Sequence, residues 1–253
     1  MIDRSVSDIS QISSLWSEGL RQISYKFKRK NSQITSLWSV GLRQISLILD
    51  KKICAFTKDR NMSMLIRTII LYLVYWKYRI LYRKQIWFRG FSVICALKGS
   101  TINLPKSGEK IRVFSHPFSN MIGLSQRCII VAKFGGKIDI GEGVYMSGCT
   151  IYSVDSITIG KKTDIGSGCK IIDTDFHPLP YSQRHPVEQL DKAKHRPIVV
   201  GEGCFIGANS IILKGTTLGK NVVVGAGSVV CGTFPDNVII AGNPARIIKE
   251  NEK

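Results

Sequence analysis

The residues of this 253-residue chain that are best suited to chemistry lie in the stretch IIDTDFHP, at residues 171–178. His177 has an ordinary pKa of about 6.5, so its side chain can accept a proton at neutral pH. Asp173 and Asp175 precede it, and either carboxylate could accept the second imidazole N–H and orient the ring. Residues two apart in an extended chain point the same way, which favours Asp175. The alternative for each aspartate is a turn carboxylate bonded to backbone N–H groups.

Three further histidines carry weaker signals. His116 also precedes a proline, in SHPFSN, but it lies ahead of the strongest repeats in the chain. His185 and His195 fall in the polar stretch YSQRHPVEQLDKAKHRP, at residues 181–197. Either could contact an acceptor molecule, although side chains in such a stretch are more often solvated. We therefore expect His177 to carry the chemistry.

The polar stretch is rich in bases, and so is the whole chain. The bases of this stretch are Arg184, Lys192, Lys194 and Arg196. The formal net charge is +18, and residues 1–90 hold 17 Lys/Arg against 5 Asp/Glu. This excess predicts an acidic partner, which could be anionic lipid, a polyanionic glycan or nucleic acid. Nucleic acid is disfavoured, because no recognition motif accompanies the charge. Arg184 and Arg196 would bind an acidic acceptor, or they belong to an ordinary charged surface.

A six-residue repeat must position these side chains. Aliphatic residues recur at every sixth position at Val200, Ile206, Ile212, Leu218, Val224 and Val230. Upstream, the same spacing connects Ile140, Met146 and Tyr152, and then, after one inserted residue, Ile159, Ile165 and Ile171. Period six is typical of a β-solenoid with three short faces and about 18 residues per coil. Counting six residues on from Ile171 leads to His177, which would then be buried inside the coil. We therefore predict that the chain leaves the solenoid there, with Pro178 disfavouring continued sheet pairing.

The N-terminal part carries different patterns. SQISSLWSEGLRQIS (10–24) and SQITSLWSVGLRQIS (32–46) match at 13 of 15 positions, and their spacing is that of an amphipathic helix. Such a helix would oligomerise or dock on a surface, or it is a duplication without a specific role. Residues 62–89 mix aliphatic, aromatic and basic residues, which favours a helix on a membrane surface over a helix packed on the main domain.

Two observations bear on the compartment. Seven cysteines occur without a C-x-x-C pair, which favours reduced thiols and a cytoplasmic setting. The N-terminal residues MIDRSVSDIS lack the charged-then-apolar order of a signal peptide. We therefore expect a cytoplasmic protein that contacts the inner membrane peripherally.

The motifs of the C-terminal half resemble those of a known family. VVGEGCFIGANSIILKGTTLGKNVVVGAGSVV (199–230), IIAGNPARIIKE (239–250) and DTDFHP (173–178) are similar to the hexapeptide-repeat acyltransferases. Within that family they resemble bacterial capsule and lipopolysaccharide O-acetyltransferases, including the branch that acts on polysialic acid. The resemblance implies an all-β fold, a left-handed parallel β-helix, and a homotrimer with active sites between subunits. It also implies acetyl-CoA as acyl donor and no metal.

The resemblance also implies roles for single residues. His177 would be the catalytic base, helped by Asp175. The groove for CoA would be lined by Gly207, Ala208, Gly225 and Ala226, and the CoA phosphates would be met by Arg246 and Lys249. Phe205 stands where relatives commonly have Trp, in the acceptor pocket, and Cys231-Gly232 stands where many relatives have Thr-Lys.

These inferences define three segments and one leading function. Residues 1–60 form a helical basic extension, residues 61–98 an amphipathic basic-aromatic helical segment, and residues 99–250 the β-helix with an active-site loop at 177–199. The leading function is transfer of acetyl from acetyl-CoA to a hydroxyl of a surface glycan, such as polysialic acid. An N-acetyltransferase acting on an amino nucleotide sugar is the second interpretation, and a non-catalytic membrane-docked scaffold is the third.

Overall fold

The structure is a computed structural model that describes residues 75–76, 78–97, 99–116, 126–184 and 193–252. The helical extension at residues 1–60, with its duplicated segments, lies outside the described residues. So do residues 61–74 of the basic-aromatic segment, His185 and Lys192. Within the described ranges, no helix is long and apolar enough to span a membrane.

Three sheets of stacked strands form the body of the structure. Sheet A contains β1 (Ile86–Arg89), β4 (Ile111–Phe114), β7 (Tyr145–Ser147), β10 (Asp164–Ile165), β13 (Phe205–Ile206), β16 (Val223–Val224), β19 (Val238–Gly242) and β20 (Ala245–Glu250). Sheet B contains β2 (Val93–Ala96), β5 (Ile129–Ala132), β8 (Thr150–Ser153), β11 (Lys170–Ile172), β14 (Ile211–Leu213) and β17 (Val229–Val230). Sheet C contains β3 (Thr101–Asn103), β6 (Lys137–Ile140), β9 (Ser156–Ile159), β12 (Ile198–Val200), β15 (Thr217–Leu218) and β18 (Thr233–Phe234).

Each coil gives one strand to each sheet, because neighbours within a sheet are three elements apart in sequence. All pairings within the sheets are parallel except that of β19 with β20. The prediction of an all-β chain with parallel, three-faced coils is therefore confirmed. The six-residue spacing follows directly, since one strand and one corner together take about six residues.

The core is a stack of aliphatic side chains inside the coils. Ile165, Ile171, Ile206 and Ile212 are fully buried, as the six-residue spacing predicts. Three cysteines, Cys128, Cys169 and Cys204, are also buried at coil corners. The prediction from this spacing is wrong at Tyr152, whose side chain points outward.

Tyr152 misses the interior because the step from Met146 to the next buried residue, Ile151, takes five residues rather than six. In sheet B, Ile171 aligns with Ile151, and Ile151 is the fully buried residue. The ring of Tyr152 instead contacts Phe176 outside the coil, with ring centroids 4.9 Å apart.

The solenoid begins earlier than the sequence predicted. Residues 61–98 were predicted to be helical, yet this range contains β1 and β2, which pair with β4 and β5. In β1 the side chains of Ile86 and Phe88 are buried while those of Trp87 and Arg89 are exposed. This alternation of two is the period of a strand, and the interleaved bases and aromatics concealed it. The described helical residues are 75–76 and 78–81, termed α1 here.

The chain leaves the solenoid between β11 and β12. Thr174 and His195 form an isolated antiparallel bridge. The N–H of Asp175 donates to the carbonyl of Lys194 at 3.0 Å, and the N–H of Arg196 donates to the carbonyl of Asp173 at 3.0 Å. The chain therefore departs and returns through a short two-stranded neck (residues 173–175 and 194–196). The frame is broken at His177, whose side chain is exposed rather than inside the coil.

Asp173 ties the neck to the preceding coil. Its buried carboxylate accepts hydrogen bonds from Ser153 Oγ at 2.6 Å, the Val154 N–H at 2.9 Å and the Asp155 N–H at 3.0 Å. Burial raises the pKa of Asp173, and the three donors oppose that rise. Asp173 is thus the turn carboxylate that the sequence allowed as an alternative.

The opposite orientations of Ile211 and Ile212 in β14 test the assignment of the core. Ile212 is fully buried and Ile211 is only half-buried. We expect Ile212→Ala to lower the free energy of unfolding by about 2–5 kcal/mol, because it leaves a cavity in the stack. Ile211→Ala should cost about 1 kcal/mol or less. Urea unfolding followed by circular dichroism measures both, and equal losses would contradict the assignment.

Removing the Asp173 carboxylate tests its role in the neck. We expect Asp173→Ala to cost about 2–4 kcal/mol of unfolding free energy, since three donors lose their acceptor. Asp139, whose carboxylate accepts from Asn103 at an exposed site, supplies the control Asp139→Ala. That control should change stability by no more than about 0.5 kcal/mol in the same denaturation assay. A similar small change for Asp173→Ala would show that the neck does not need this carboxylate.

Candidate functional site

His177 is presented to solvent just beyond the neck. Its backbone N–H donates to the Asp175 carbonyl at 2.7 Å. Its imidazole makes no hydrogen bond to any residue within the described ranges, so it remains available to an incoming group. Phe176 has a φ of 60°, a left-handed conformation that a bulky side chain rarely adopts. The Phe176 N–H donates to Thr174 Oγ1 at 3.2 Å, which helps to hold this turn.

Asp175 does not orient His177 in the described chain, which corrects the sequence prediction. One of its carboxylate oxygens pairs with the ammonium group of Lys214 on the following coil. Its other oxygen, Oδ2, is buried without a hydrogen-bond partner among the described residues. The pairing was invisible in the sequence, because 39 residues separate the two side chains.

The histidine that does have a carboxylate partner is His195. Its Nδ1 lies 2.9 Å from Oδ2 of Asp155, at the corner between β8 and β9. Sequence reasoning gave His195 a weak signal and did not single out Asp155 at all. The residues meet because the neck returns alongside the preceding coil, and no local motif reports such stacking. The pair leaves Nε2 of His195 without a partner among the described residues, and the side chain is 47% exposed.

The two arginines predicted to bind an acidic acceptor differ in their surroundings. Arg184 donates from Nε and from a terminal nitrogen to the Leu179 carbonyl, at 3.0 and 2.7 Å, so it braces its own loop. Arg196 lies in the neck, exposed, with its side chain packed over Gly215. Its guanidinium has no ion-pair partner among the described residues, which leaves it the freer cation. His116 follows β4 and is exposed.

A cavity of about 570 Å³ lies on the outer side of sheet A. Phe205, half-exposed on β13, lines it together with Ala208. Its polar lining comes mainly from Arg112, Tyr145, Lys162 and Asp164. Partial burial raises the pKa of Asp164, and the positive charge of Arg112 opposes this shift. The cavity therefore mixes an aromatic wall with both signs of charge.

The cavity and His177 lie at different corners of the coil. The cavity extends across sheet A, from Lys162 at the corner before β10 to Gly166 and Ser167 at the corner after it. His177 follows β11 and lies at the corner between sheets B and C. A single chain therefore holds the free imidazole and the cavity on separate edges.

The residues predicted to line a CoA groove share one corner. Gly207-Ala208 and Gly225-Ala226 occupy the corner between sheets A and B in successive coils. A Cβ on Gly207 would lie 2.6 Å from the backbone N of Ala226, so close stacking explains this glycine. Ala208 and Ala226 are half-buried and exposed, respectively, and form the accessible part of the row.

Arg246 and Lys249 lie at the C-terminal end of this row. Both are exposed on β20, where Arg246 pairs with Ala241 and Lys249 with Ile239 on β19. Ala241 is also the residue that a Cβ on Gly225 would meet. Thus Arg246 lies near the end of the small-residue corner, a suitable position for an anionic group. Within the described residues, no group of three or more His, Cys, Asp or Glu side chains could hold a metal ion.

Comparison with known proteins shows what the repeat is similar to. A sequence model described as the hexapeptide repeat of succinyl-transferase matches residues 197–231. A candidate lipopolysaccharide biosynthesis O-acetyl transferase of Escherichia coli K12, WbbJ, is 35% identical over 124 residues, covering 47% of this chain and 61% of that protein. The galactoside O-acetyltransferase of the same strain is 34% identical over 119 residues, covering 47% of this chain and 56% of that protein.

Solved structures give weaker matches. A maltose O-acetyltransferase from Clostridium difficile 630 is 25% identical, with a TM-score of 0.46, over 85% of this chain and 89% of that one. A hexapeptide-repeat acetyltransferase from Vibrio cholerae O1 biovar eltor, solved with acetyl coenzyme A, is 22% identical, with a TM-score of 0.46, over 84% and 88%. Both TM-scores are below 0.5, so the similarity that matters is the one in sequence.

The chain spans less than two thirds of the length of these curated relatives. What it shares with them is the repeat that builds the coils. In that repeat, the solenoid of this chain is similar to hexapeptide-repeat transferases and to these O-acetyltransferases.

Proposed function

We propose that this protein transfers acetyl from acetyl-CoA to a hydroxyl of a bacterial surface polysaccharide, with His177 as the catalytic base. The observation that carries the proposal is the exposed imidazole of His177, which makes no hydrogen bond to the described residues. It lies in the longest interval between consecutive described strands, residues 173–197 between β11 and β12. The O-acetyltransferases among its sequence relatives support the reaction class. The proposal includes the left-handed coil sense expected from the family resemblance.

The imidazole would do the proton work of the reaction. A hydroxyl is a poor nucleophile until its proton is removed, and neutral His177 can accept that proton as the oxygen attacks the thioester carbonyl. The tetrahedral oxyanion would need a backbone N–H or similar donor. When this intermediate collapses, the C–S bond breaks and the imidazolium returns its proton to the departing CoA thiolate. At the end of the reaction His177 is neutral again, and the proton of the hydroxyl is on the CoA thiol.

The separate positions of His177 and the cavity support an active site between subunits. One chain offers the base at one corner and the cavity with the small-residue corner at another. A second copy, packed along the first, would bring the base of one chain to the cavity of its neighbour. We therefore propose a homotrimer in which acetyl-CoA lies along Ala208 and Ala226 and reaches Arg246 and Lys249.

An acidic glycan such as polysialic acid is the proposed acceptor. Arg196 supplies a cation in the neck that has no ion-pair partner among the described residues. Lys162 and Arg112, which pairs with Glu109, border the cavity. The net charge of +18 would concentrate a polyanion around the protein. A cytoplasmic setting belongs to the same proposal, supported by the six described cysteines, all of which are free.

One observation favours a second acceptor class. A tetrahydropyridine-dicarboxylate N-acetyltransferase of Clostridium perfringens is 45% identical over 60 residues, which is 25% of that protein. The second candidate function is therefore N-acetylation of an amine acceptor, such as an amino nucleotide sugar. Incubation with labelled acetyl-CoA and acidic glycans, neutral glycans or amino nucleotide sugars, followed by NMR, locates the label on oxygen or nitrogen.

The variant His177→Ala tests the catalytic base. We expect kcat to fall about 10²–10⁴-fold, because the attacking hydroxyl keeps its proton. Affinity for CoA, measured by calorimetry, should be unchanged. Near-normal turnover would overturn the assignment of His177.

His195→Ala is the matched control for that variant. Its Nδ1 is bonded to Asp155 and its Nε2 has no partner among the described residues, so it is the other histidine that could act as a base. Because the proposal assigns proton transfer to His177, we expect a small loss of activity and an unchanged pH profile. If His195→Ala abolishes the basic limb of the pH profile while His177→Ala does not, the base is His195. If neither variant matters and no acetyl is transferred to any acceptor, the proposed reaction fails.

Enlarging the small-residue corner tests the proposed acetyl-CoA groove. Ala226→Leu should raise KM for acetyl-CoA about tenfold with little change in kcat, because the side chain would occupy the path of the pantetheine arm. Thr233→Leu, at an exposed position on sheet C, is the control and should leave KM unchanged. A change confined to KM for the acceptor would assign this corner to the acceptor instead.

A further inference from the structure

The surface formed by α1 and β1 has no role in the chemistry proposed above. Its outward side chains are those of Trp76, Arg79, Ile80, Arg83, Lys84, Trp87 and Arg89, termed here the basic-aromatic surface. The helix folds back beside the strand, since Tyr75 Oη donates to the Gly90 carbonyl and the Ile86 N–H donates to the Tyr82 carbonyl. Both elements therefore lie at the edge of sheet A that β1 forms.

The inward side chains of α1 and β1 are buried in the core. Tyr75 and Tyr78 are buried on α1, and the Tyr78 hydroxyl accepts from the Ala96 N–H at 3.1 Å. Ile86 and Phe88 are buried on β1. The large apolar side chains that remain outside each contact the fold on one side only: Trp76 lies against Tyr75 and Trp87 against Phe114.

Three of those outward side chains are large and apolar. Trp76 is 51% exposed, Ile80 is 47% exposed and Trp87 is 49% exposed. Trp76 and Ile80 are one helical turn apart, so they share a face of α1. Clustered exposed apolar groups of this size usually mark a surface that meets another phase or molecule.

The charge on the same surface has one sign. Residues 60–108 hold nine Lys/Arg and no Asp/Glu. Two of the bases lie over the exposed rings: the Arg79 guanidinium carbon is 5.8 Å from the Trp76 ring centroid, and that of Arg89 is 5.5 Å from the Trp87 centroid. Cation and ring are thereby presented together. None of the bases on this surface forms an ion pair with a described residue.

We propose that the basic-aromatic surface docks on an anionic lipid bilayer. Indole rings prefer the headgroup level, where the apolar part is buried and the N–H stays wet. Arg79, Arg83, Lys84 and Arg89 would then face the lipid phosphates, each adding to the attraction. Docking of this kind is peripheral, and it uses only side chains that the fold leaves outside.

Two other occupants fit the surface less well. A second copy placed symmetrically on this surface would bring like charges together, which is repulsive. A soluble polyanion would pair with the bases but would leave Trp76, Ile80 and Trp87 exposed to water. The lipid surface satisfies both the charge and the apolar groups. The inference is independent of the proposed acetyl transfer.

Vesicle binding by the full chain tests the proposal. Vesicles of phosphatidylglycerol and phosphatidylcholine are compared with vesicles of phosphatidylcholine alone, by co-sedimentation at low and high salt. We expect binding to the anionic vesicles that weakens as salt is raised. The triple variant Arg79→Gln, Arg83→Gln, Lys84→Gln should lower the partition coefficient on the order of 100-fold. The triple variant Trp76→Ser, Ile80→Ser, Trp87→Ser should lower it and make the remaining binding more sensitive to salt.

Matched controls separate this surface from the general charge of the chain. Lys137→Gln, Lys161→Gln, Lys170→Gln removes three exposed charges elsewhere, and Ile247→Ser, Ile248→Ser removes exposed apolar groups from β20. Both should bind vesicles like the parent protein, with all variants checked for unchanged thermal unfolding. If the control charges matter as much as the three on the surface, the proposal fails.

Three further results would overturn it. Equal binding to neutral and anionic vesicles would show that the bases do not contribute to docking. Full competition by soluble dextran sulfate that is insensitive to the Trp and Ile changes would assign the surface to a polyanion. A change of oligomeric state in the apolar variant, seen by light scattering, would assign it to a contact between copies. Acetyl transfer to a soluble acceptor should be unchanged in both surface variants, so this proposal and the proposed function can fail separately.

Discussion

The structure depends on the in-register stacking of one coil directly on the next. Parallel neighbours lie about 4.8 Å apart, and every coil must repeat that distance on three sheets at once. This fixes the aliphatic column at Ile165, Ile206 and Val224, and it forces small residues at the corners. At Gly160 a Cβ would lie 2.4 Å from the backbone of Gly201 on the next coil. A strand of two residues, such as β13, suffices because it is paired on both sides.

The neck and loop are the place where this constraint is relaxed. The chain can leave the coil after Ile172 only because Asp173 satisfies the backbone groups of the preceding corner and the neck satisfies its own. The ion pair of Asp175 with Lys214 then connects the neck to the following coil. Both ends of the loop are therefore held by hydrogen bonds and an ion pair, and the loop presents the exposed side chain of His177.

The sequence predicted what is periodic and missed what is not. The columns at Ile206 and Ile212 follow from counting by six, because each position repeats the same environment. The exit at His177 followed from the failure of that count. The pairs of Asp175 with Lys214 and of His195 with Asp155 could not be read from the sequence, since each joins different coils over about 40 residues. The first strands were missed because four-residue segments carry too little periodicity to outweigh their aromatic and basic composition.

The antiparallel pairing of β19 with β20 has a consequence for the molecule as a whole. A parallel solenoid ends in unpaired strand edges, and each edge is a template onto which another chain could add. At the C-terminal end of sheet A, the chain reverses and β20 occupies that edge itself. A further coil of the same kind could not continue sheet A in parallel register there. The reversal therefore blocks the parallel extension of sheet A at this edge, where another coil would otherwise add to the stack.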